Sequence, residues 1–172
     1  MNIDKQKIFK TRAEHLRQEI INEKQQTKTL PVLSFFLADE KYALEAEYVE
    51  RVIALKRFTD LPCTPDFILG IINVLGKILA IIDIKKLFNL PDKGITNLNR
   101  VIIVKYKGIE FGVLTDEIIG REDVAVADLQ ENLPNIAGIK SLLVRGVTKD
   151  RLIIINTMEL CKDKRIIIDE KI

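Results

Sequence analysis

The residues that could carry out chemistry are few in this sequence, and their spacing does not suit catalysis. His15 is the only histidine, and Cys63 and Cys161 lie far apart without a CxxC pair. A Ser-His-Asp or Cys-His site would have to recruit His15 from the N-terminal segment, and a zinc site would lack clustered ligands. Neither GxxxxGK[ST] nor GxGxxG occurs, so no phosphate-binding loop is indicated. We therefore predict no catalytic residue, no metal and no cofactor, and we expect both cysteines to be buried.

Two pairs of adjacent carboxylates are the remaining candidates for acid–base chemistry. Asp116 precedes Glu117, and Glu122 precedes Asp123, next to predicted β segments. Two carboxylates with separated pKa values can act as an acid and a base. Charged residues at strand ends more often form solvated turns, and we favour that interpretation. A small-barrel enzyme that uses Asp116 or Asp123 is kept as a remote alternative.

The charge balance gives no sign of a nucleic-acid or membrane partner. Lys and Arg number 27 and Asp and Glu 25, which leaves a formal charge of +2. The aromatic residues are not accompanied by a basic stripe, so a nucleic-acid-binding module is also a remote alternative. The most apolar segment, 67–84, is short and contains polar residues, so direct membrane insertion is not expected. With 47% apolar residues, the chain is predicted to be a globular cytoplasmic protein.

The elements that must position these residues are mostly β strands, and they form an internal repeat. Val32–Leu44 aligns with Val101–Val113, and each is an apolar run, a polar turn and a second run. Leu79–Phe88 aligns with Leu152–Cys161, and each is a buried strand that ends on Asp or Asn before a short helix. About five short strands per half, separated by turn residues, predict two small barrels.

Residues 4–27 predict an amphipathic helix ahead of the β region. Phe9, Ala13, Leu16 and Ile20 recur at four-three-four spacing and form one apolar stripe. We expect this stripe to pack on the β core, and docking of a partner is the alternative.

One segment of the chain resembles the signature of a known family. Phe67–Ile84 contains Phe-Ile-Leu-Gly, Asn-Val-Leu-Gly and Ile-Ile-Asp in that order, and is similar to the F-I-x-G, N-[LV]-R-G and [IV]-[VI]-D blocks of CheW-like domains. The segments Phe35–Leu44, Tyr106–Ile118, Val144–Val147 and Asp150–Asn156 also follow the family pattern in the family's order. Several separate matches in one order make the resemblance more specific than a single motif.

The resemblance implies a mainly β fold of two five-stranded SH3-like barrels, with an N-terminal helix and short connecting helices. The expected divisions are residues 1–29 for the N-terminal helix and its polar tether, 30–162 for the CheW-like domain, about 30–90 for the first barrel, about 98–162 for the second barrel, and 163–172 for a C-terminal tail. Within the first barrel, residues 66–69 predict a short helix that Gly70 ends.

The resemblance also implies a function without catalysis. Members of the family are adaptors in bacterial chemosensory signalling. They bind the regulatory domain of the histidine kinase CheA and the cytoplasmic tips of methyl-accepting chemoreceptors. The chain is accordingly expected in the cytoplasm, at receptor arrays on the inner face of the membrane when assembled. By motif position, the expected protein-binding residues are Val49, Arg51, Val52, Gly70, Asn73, Leu75 and Gly76.

Three residues depart from the family pattern. The family commonly has Glu at the position of Arg51, Arg at that of Leu75 and Pro at that of Ala80. The first two residues are expected to form an ion pair in the family, and neither half of it exists here. An exposed ion pair contributes only about 0–1 kcal/mol, so its loss is compatible with retained binding. A charge reversal also changes which partners are repelled. A decoy or regulator that binds only the receptor or only the kinase is therefore the second hypothesis.

Overall fold

The computed structural model describes residues 3–26, 28–131 and 141–167. In chain order, the helices and strands within these ranges are α1 (Ile3–Gln26), β1 (Thr29–Leu37), β2 (Glu40–Glu45), β3 (Val49–Ala54), β4 (Ile68–Val74), β5 (Lys77–Asp83), α2 (Ile84–Leu87), β6 (Arg100–Tyr106), β7 (Ile109–Thr115), β8 (Glu117–Ala125), β9 (Val144–Val147), β10 (Ile153–Ile155) and α3 (Thr157–Lys162). Short 3-10 turns occupy Ala46–Tyr48, Val126–Asp128 and Ser141–Leu143.

The strands form two five-stranded sheets of the same topology. The sheet called barrel 1 has the order β8-β1-β2-β10-β9, and the sheet called barrel 2 has the order β3-β6-β7-β5-β4. Neighbouring strands are antiparallel except for one parallel pair in each sheet, β2 with β10 and β5 with β7. Each sheet is an SH3-like barrel that is not fully closed by strand pairing. The mainly β fold with two five-stranded SH3-like units is confirmed.

The sequence repeat and the barrels do not coincide. Barrel 1 combines the hairpin β1–β2 with β8, β9 and β10, and barrel 2 combines the hairpin β6–β7 with β3, β4 and β5. The expected barrels at about 30–90 and 98–162 are therefore wrong as a division of the strands. The chain crosses between the sheets after β2 and again after β7. The repeat identifies equivalent strands, but an apolar hairpin fits either set of three strands, so it does not fix the pairing.

A short β-bridge spans the open edge of each barrel. In barrel 2, the Thr59 N–H donates to the Ile71 carbonyl at 2.9 Å, and the Ile71 N–H donates to the Thr59 carbonyl at 2.8 Å. In barrel 1, Gln130 and Val147 exchange the same pair of bonds at 2.9 and 3.1 Å. The chain that follows one edge strand is thus held against the other edge strand.

Gly70 lies inside β4 and does not end a helix. The short helix predicted over 66–69 is wrong, because β4 already begins at Ile68. Gly70 has a φ of +153°, and a Cβ added to it would lie 2.4 Å from the carbonyl oxygen of Thr59. The glycine is required by a close approach of two backbone segments, which is the other common use of glycine in a strand.

The largest hydrophobic cluster joins the two barrels. It contains Phe35 and Leu44 from barrel 1, Ile102 and Phe111 from barrel 2, and Phe88 after α2. A smaller cluster fills each barrel separately. Because the shared cluster removes large apolar side chains of both sheets from water, the hydrophobic effect holds the barrels together.

The helix α1 does not bury its apolar stripe. Phe9 is 67% exposed, Leu16 57% and Ile20 50%. The expectation that this stripe packs on the β core is therefore wrong for the described side chains. The chain just after α1 is tied to barrel 1, since the Val126 N–H donates to the Lys28 carbonyl at 3.0 Å. None of the described helices is long and apolar enough to cross a membrane.

Candidate partner-binding groove

A groove of about 530 Å3, here called groove 2, opens between the edge strands of barrel 2. It lies there because β3 and β4 are the two edges of this sheet, and the Thr59–Ile71 bridge keeps the chain after β3 close to β4. The lining residues are Arg51, Ile53, Ala54, Leu55, Lys56, Arg57, Ile72, Asn73, Val74, Leu75 and Val101.

The tip of the β4–β5 hairpin places a strained, exposed leucine at this groove. Val74 pairs with Lys77, and the two residues between them, Leu75 and Gly76, have φ angles of +53° and +87°. Positive φ at both central residues defines a type I′ turn, which favours Asn-Gly. The Gly76 N–H donates to Asn73 Oδ1 at 2.9 Å, which supports the turn. Leu75 is 83% exposed. A left-handed backbone costs a non-glycine residue roughly 1–2 kcal/mol, so the fold gives no reason for leucine here.

The charged side chains that line groove 2 are all cationic. Arg51, Lys56 and Arg57 surround apolar lining residues, and among the residues that the structure describes none with a carboxylate side chain lines the groove. The carboxylate nearest in sequence is Glu50, whose Oε1 lies 3.8 Å from Arg51 Nη2 with both side chains partly exposed. A pair of this kind contributes little. The groove therefore presents positive charge around an apolar surface.

Lys77, next to the turn, is neutralised by a carboxylate outside the groove. Its Nζ donates to Glu110 at 2.9 Å, and Lys105 Nζ lies 3.1 Å from the same carboxylate. The hydrogen bond from Lys77, followed by that from Lys105, lowers the pKa of Glu110, and the same bond to Glu110 raises the pKa of Lys77. Lys77 is thus paired by a close hydrogen bond, whereas Arg51 in groove 2 has only the longer 3.8 Å contact with Glu50.

Barrel 1 carries a groove of the same size in the equivalent place, here called groove 1. Its volume is also about 530 Å3, and it lies between β8 and the β9–β10 hairpin, which match β3 and the β4–β5 hairpin. The residues that line it are Lys41, Glu122, Asp123, Val124, Ala125, Asp128, Thr148, Lys149, Asp150 and Leu152. Carboxylates outnumber cations in this lining, and Lys149 Nζ lies 3.2 Å from Asp128 Oδ1. Groove 1 is acidic where groove 2 is basic.

The structure brings part of the expected binding set together. Arg51, Asn73 and Leu75 line groove 2. Val52 is exposed on β3, and Gly76 is exposed in the turn beside the groove. Arg51, Asn73, Leu75 and Gly76 therefore lie together at groove 2, whereas the side chain of Val52, between two groove-lining residues of β3, points to the opposite face of that strand.

The other two residues of the expected binding set, Val49 and Gly70, support the fold and do not line the groove. Val49 is partly buried against the cluster that joins the barrels, and Gly70 is buried at the bridge behind the groove. Sequence reasoning missed Lys56 and Arg57, which supply two of the three cations of groove 2. The signal was present, since a basic dipeptide follows the edge strand β3 after a single residue, Leu55.

Asp116, an acid–base candidate in the sequence, is a structural ion-pair partner at the crossover from β7 to β8. Its Oδ1 accepts from Lys85 Nζ at 2.6 Å, and its Oδ2 accepts from the Ala38 N–H at 2.7 Å. Lys85 is 1% exposed. Burial by itself lowers the pKa of Lys85, but the hydrogen bond and charge of Asp116, together with the charges of Asp83 and Asp92, outweigh burial, so the pKa is raised. This pair connects α2 to the β1–β2 turn of the other barrel.

The other reactive groups do not assemble into a site either. Asp123 lies in groove 1, away from the crossover that holds Asp116. Over the described ranges, no group of three His, Cys, Asp or Glu residues is placed to hold a metal ion. Cys161 is buried, as expected, and burial raises its pKa to about 11. Cys63 is exposed, so the expectation of burial is wrong for this residue.

Comparison with known proteins identifies the family. A family model described as the CheW-like domain matches residues 31–164. The chemotaxis protein CheW of Bacillus subtilis is 33% identical over 86 residues, which cover 50% of this chain and 55% of that relative, so the match spans about half its length. The chemotaxis protein CheW of Thermotoga maritima is 26% identical over 129 residues, covering 74% of this chain and 83% of that protein.

A solved structure agrees with this comparison over most of the chain. The crystal structure of the scaffolding protein TtCheW from Thermoanaerobacter tengcongensis superposes with a TM-score of 0.68 at 33% identity, covering 74% of this chain and 89% of that one. The matched family region, 31–164, contains β2 to β10, all of β1 except its first two residues, and the residues that line both grooves. The chain therefore belongs to the CheW-like family of non-enzymatic chemotaxis adaptors.

Proposed function

We propose that this chain is a cytoplasmic adaptor that couples methyl-accepting chemoreceptors to a CheA-type histidine kinase. It binds the regulatory domain of the kinase and the cytoplasmic tips of the receptors, at arrays on the inner face of the membrane. Two partner surfaces on one double barrel hold the receptor and the kinase in one assembly, so that a change of receptor conformation biases kinase activity. Family membership supports the adaptor role.

The observation that carries the proposal is the composition of groove 2. Leu75 is exposed in an unfavourable backbone conformation, directly beside a basic, apolar-lined groove. A residue that lowers the stability of the fold, and for which the fold gives no reason, is expected where a partner contacts it. We assign the contacts at groove 2 to Arg51, Asn73, Leu75 and Gly76, and a contact on the adjoining face of the edge strand β3 to Val52.

Val49 and Gly70, the remaining expected residues, support this surface from beneath. Val49 anchors β3 to the core, and Gly70 permits the bridge that closes the floor of the groove.

The lining of groove 2 also specifies the chemistry of its partner. An amphipathic helix can lay apolar side chains on the groove and on Leu75. Carboxylates on the flank of that helix would meet Arg51, Lys56 and Arg57 in charge-assisted hydrogen bonds. A groove of this size accepts only a few side chains, so we expect a dissociation constant on the order of 1–10 µM, with array avidity adding to it.

The proposal is tested by calorimetric titration of the full chain with the regulatory domain of a CheA-type kinase, and separately with a receptor-tip fragment. Binding to both partners supports coupling. Binding to one partner alone supports the second hypothesis, a decoy or regulator. Binding to neither leaves the family assignment intact and removes the proposed function.

Two charge or polarity variants locate the contact. Arg51→Glu and Leu75→Asp should each weaken at least one of the two partners by about 10-fold or more. The matched controls are Arg121→Glu, an exposed cation on β8, and Leu98→Asp, a leucine that is 52% exposed outside the groove. Equal losses in the controls and the groove variants would contradict the assignment to groove 2.

A further inference from the structure

The tip of the β4–β5 hairpin, residues 74–78, extends beyond the part of barrel 2 that backbone pairing holds. β4 and β5 pair with each other as far as Val74 and Lys77. Over the described residues, β5 pairs with β7 only at 81–83, so the first four residues of β5 have no backbone partner on that side. Residues 75–78 are all exposed. The tip is therefore a two-stranded ribbon, and such a ribbon is only marginally stable by itself.

This tip contributes to one wall of groove 2. That wall contains Ile72, Asn73, Val74 and Leu75, whereas the opposite wall follows β3 and the chain after it. Ile72 is buried in the apolar cluster inside barrel 2, but Val74 is only partly buried against that cluster, and Leu75 is exposed. The width of the groove near Leu75 therefore depends on what holds the tip in place.

One carboxylate outside the groove makes a direct contact with the tip. Both carboxylate oxygens of Glu110 accept from Lys77 Nζ, at 3.1 and 2.9 Å, and Glu110 belongs to β7, the central strand of the sheet. Lys105 lies directly opposite Glu110 on β6, with its Nζ 3.1 Å from Glu110 Oε1. Opposite charges that face each other across two strands stabilise the sheet, so Lys105 fixes the carboxylate that Lys77 reaches.

We propose that Glu110 is a positioning residue: through Lys77 it holds the hairpin tip in the position at which an acidic partner binds groove 2. The inference rests on the proposed function for the partner, whereas the position of the tip can be measured without one. Lys105 keeps Glu110 in place on the rigid part of the sheet, and Lys77 connects the tip to it.

The location of this ion pair gives it an effect that its strength alone would not. The Lys77 side chain is 60% exposed, so the pair contributes little to the stability of the whole fold. The Glu110 side chain is 12% exposed and already contacts Lys105, so it loses little conformational freedom when Lys77 binds it. At a marginally stable ribbon, a weak contact changes how often the ribbon opens while the barrel stays folded.

Positioning can be separated from a simple effect of charge. Glu110→Gln and Lys77→Met remove the same ion pair, but the first raises the net charge and the second lowers it. If the two charges acted only through their field, an acidic partner would bind Glu110→Gln more tightly and Lys77→Met more weakly. If Glu110 positions the tip, both variants bind the partner more weakly.

The first measurement is the exchange of the Gly76 amide, followed by NMR in the full chain without a partner. This N–H donates to Asn73 Oδ1 within the turn, so its exchange reports on the tip. Exchange should become faster by about 3-fold or more in both Glu110→Gln and Lys77→Met. Lys77→Arg keeps a cationic donor for Glu110 and should stay within about 2-fold of the wild type.

The second measurement is calorimetry of the same variants with the kinase regulatory domain and with the receptor-tip fragment. For the partner that Arg51→Glu weakens, the dissociation constant should rise by about 3-fold or more in Glu110→Gln and in Lys77→Met, because the apparent affinity falls with the fraction of chains in the competent conformation. Lys77→Arg should restore it to within about 2-fold of the wild type.

The matched control is Glu159→Gln on α3. Glu159 is 22% exposed and pairs with Lys162 at 3.0 Å, away from groove 2, so its loss should change exchange and affinity by less than about 2-fold. The midpoint of thermal unfolding should stay within about 3 °C of the wild type in all of these variants.

Three results would overturn the proposal: unchanged Gly76 exchange in Glu110→Gln and Lys77→Met, faster exchange with unchanged affinity, or changes of affinity in opposite directions. Equal effects in the Glu159→Gln control would overturn it too. A wild-type chain that binds neither partner removes the proposed function instead, and the exchange rates of Gly76 then still decide whether Glu110 holds the tip.

Discussion

The two barrels share one backbone design and differ in the charge of the groove that each presents. Groove 1 and groove 2 have the same volume and lie between equivalent strands, yet groove 1 is lined mainly by carboxylates and groove 2 by cations and apolar side chains. The features that close the barrels are repeated, whereas the side chains that face solvent are not. Partner choice is thus expected to reside in the linings, and barrel stability in the repeated backbone features.

Two repeated features show what the shared design requires. Gly70 pairs with Ile81, and Gly146 pairs with the equivalent Ile154, each beside the bridge of its barrel. The strand that follows each glycine ends on a helix cap. Asp83 Oδ1 accepts from the N–H of Lys85 at 3.0 Å to begin α2. Asn156 does the same for α3, accepting from the N–H of Glu159 at 3.2 Å.

The largest predicted effect comes from a substitution that disrupts the closure of one barrel. Gly70→Ala should lower the free energy of unfolding by about 3 kcal/mol or more, because the new Cβ meets a backbone oxygen at a positive φ. Gly146→Ala should cost less, about 1–3 kcal/mol, because its backbone contact, the Gln130 carbonyl oxygen at 2.9 Å, is longer than the 2.4 Å contact at Gly70, and Gly146 does not have a positive φ. Urea denaturation of both variants measures the difference. Equal losses of unfolding free energy in the two variants would contradict the prediction that the closer contact at Gly70 makes its substitution more costly.

The second effect comes from a substitution that removes an ion pair whose lysine has no counterpart at the equivalent position of the other repeat. Lys85 pairs with Asp116 at the crossover, whereas the equivalent position in α3 is Met158. Lys85→Met should cost about 2–3 kcal/mol at neutral pH, because Asp116 is only 20% exposed and loses its buried cation. Lys86→Met, an exposed neighbour, is the control and should change stability by less than about 0.5 kcal/mol. A loss of similar size in both variants would argue against a special role for the pair.

That pair also has a defined pH dependence. The pKa of Lys85 is raised above its ordinary value of 10.5. A raised pKa means that the pair stabilises the fold fully below pH 10.5 and loses this contribution as the pH rises through the raised value. The stability difference between wild type and Lys85→Met should therefore shrink in strongly alkaline solution. A difference that grows there would contradict the assignment.

The third effect addresses the difference in charge between the grooves. Arg51→Glu should weaken an acidic partner of groove 2 by about 10-fold, or about 1.4 kcal/mol. Asp123→Lys in groove 1 should leave binding of that same partner unchanged. Calorimetry at two salt concentrations gives both results. If Asp123→Lys weakens the partner as much as Arg51→Glu does, then the two grooves do not have separate partners.

The fourth effect separates stability from binding at the hairpin tip. Leu75→Asn suits the type I′ turn and should raise the free energy of unfolding by about 0.5–1 kcal/mol. The same change removes the exposed apolar side chain and should weaken the partner several-fold. Thermal unfolding and calorimetry on one preparation measure both quantities. A variant that is more stable and binds with unchanged affinity would remove Leu75 from the contact surface.

The smallest effect compares the two helix caps. Burial raises the pKa of Asp83 above its ordinary value of 3.8. Because the pKa of Asp83 is higher in the folded chain than in the unfolded chain, protonated Asp83 favours the folded state, and this contribution is fully present below pH 3.8. It is lost as the pH rises through the raised pKa. Asp83→Asn keeps a capping oxygen, as Asn156 shows, and removes the titration. The change should therefore flatten the stability profile slightly in weakly acidic solution, by less than about 1 kcal/mol. An unaltered profile would contradict this account of the cap.

Local patterns in the sequence were enough to identify the strands and the family. The alternation of apolar residues located the hairpin 32–44 and its repeat, and the segment 67–84 carried the family signature. Strand partners could not be obtained in this way, because they depend on where the chain crosses between sheets. Gly70 was misassigned to a helix end, since a local window does not contain Thr59, the residue that it approaches. Only part of the lining of groove 2 can be predicted from the sequence for the same reason, because the lining residues come from separate strands.

The most direct test of the central claim is a reconstituted mixture of receptor fragment, CheA-type kinase and this chain, with kinase autophosphorylation measured against receptor state. The account predicts that kinase activity responds to receptor state only when the chain is present, and that the Arg51→Glu, Leu75→Asp double variant abolishes the response while remaining folded. Kinase activity that follows receptor state equally well without the chain, or with the double variant, would contradict it.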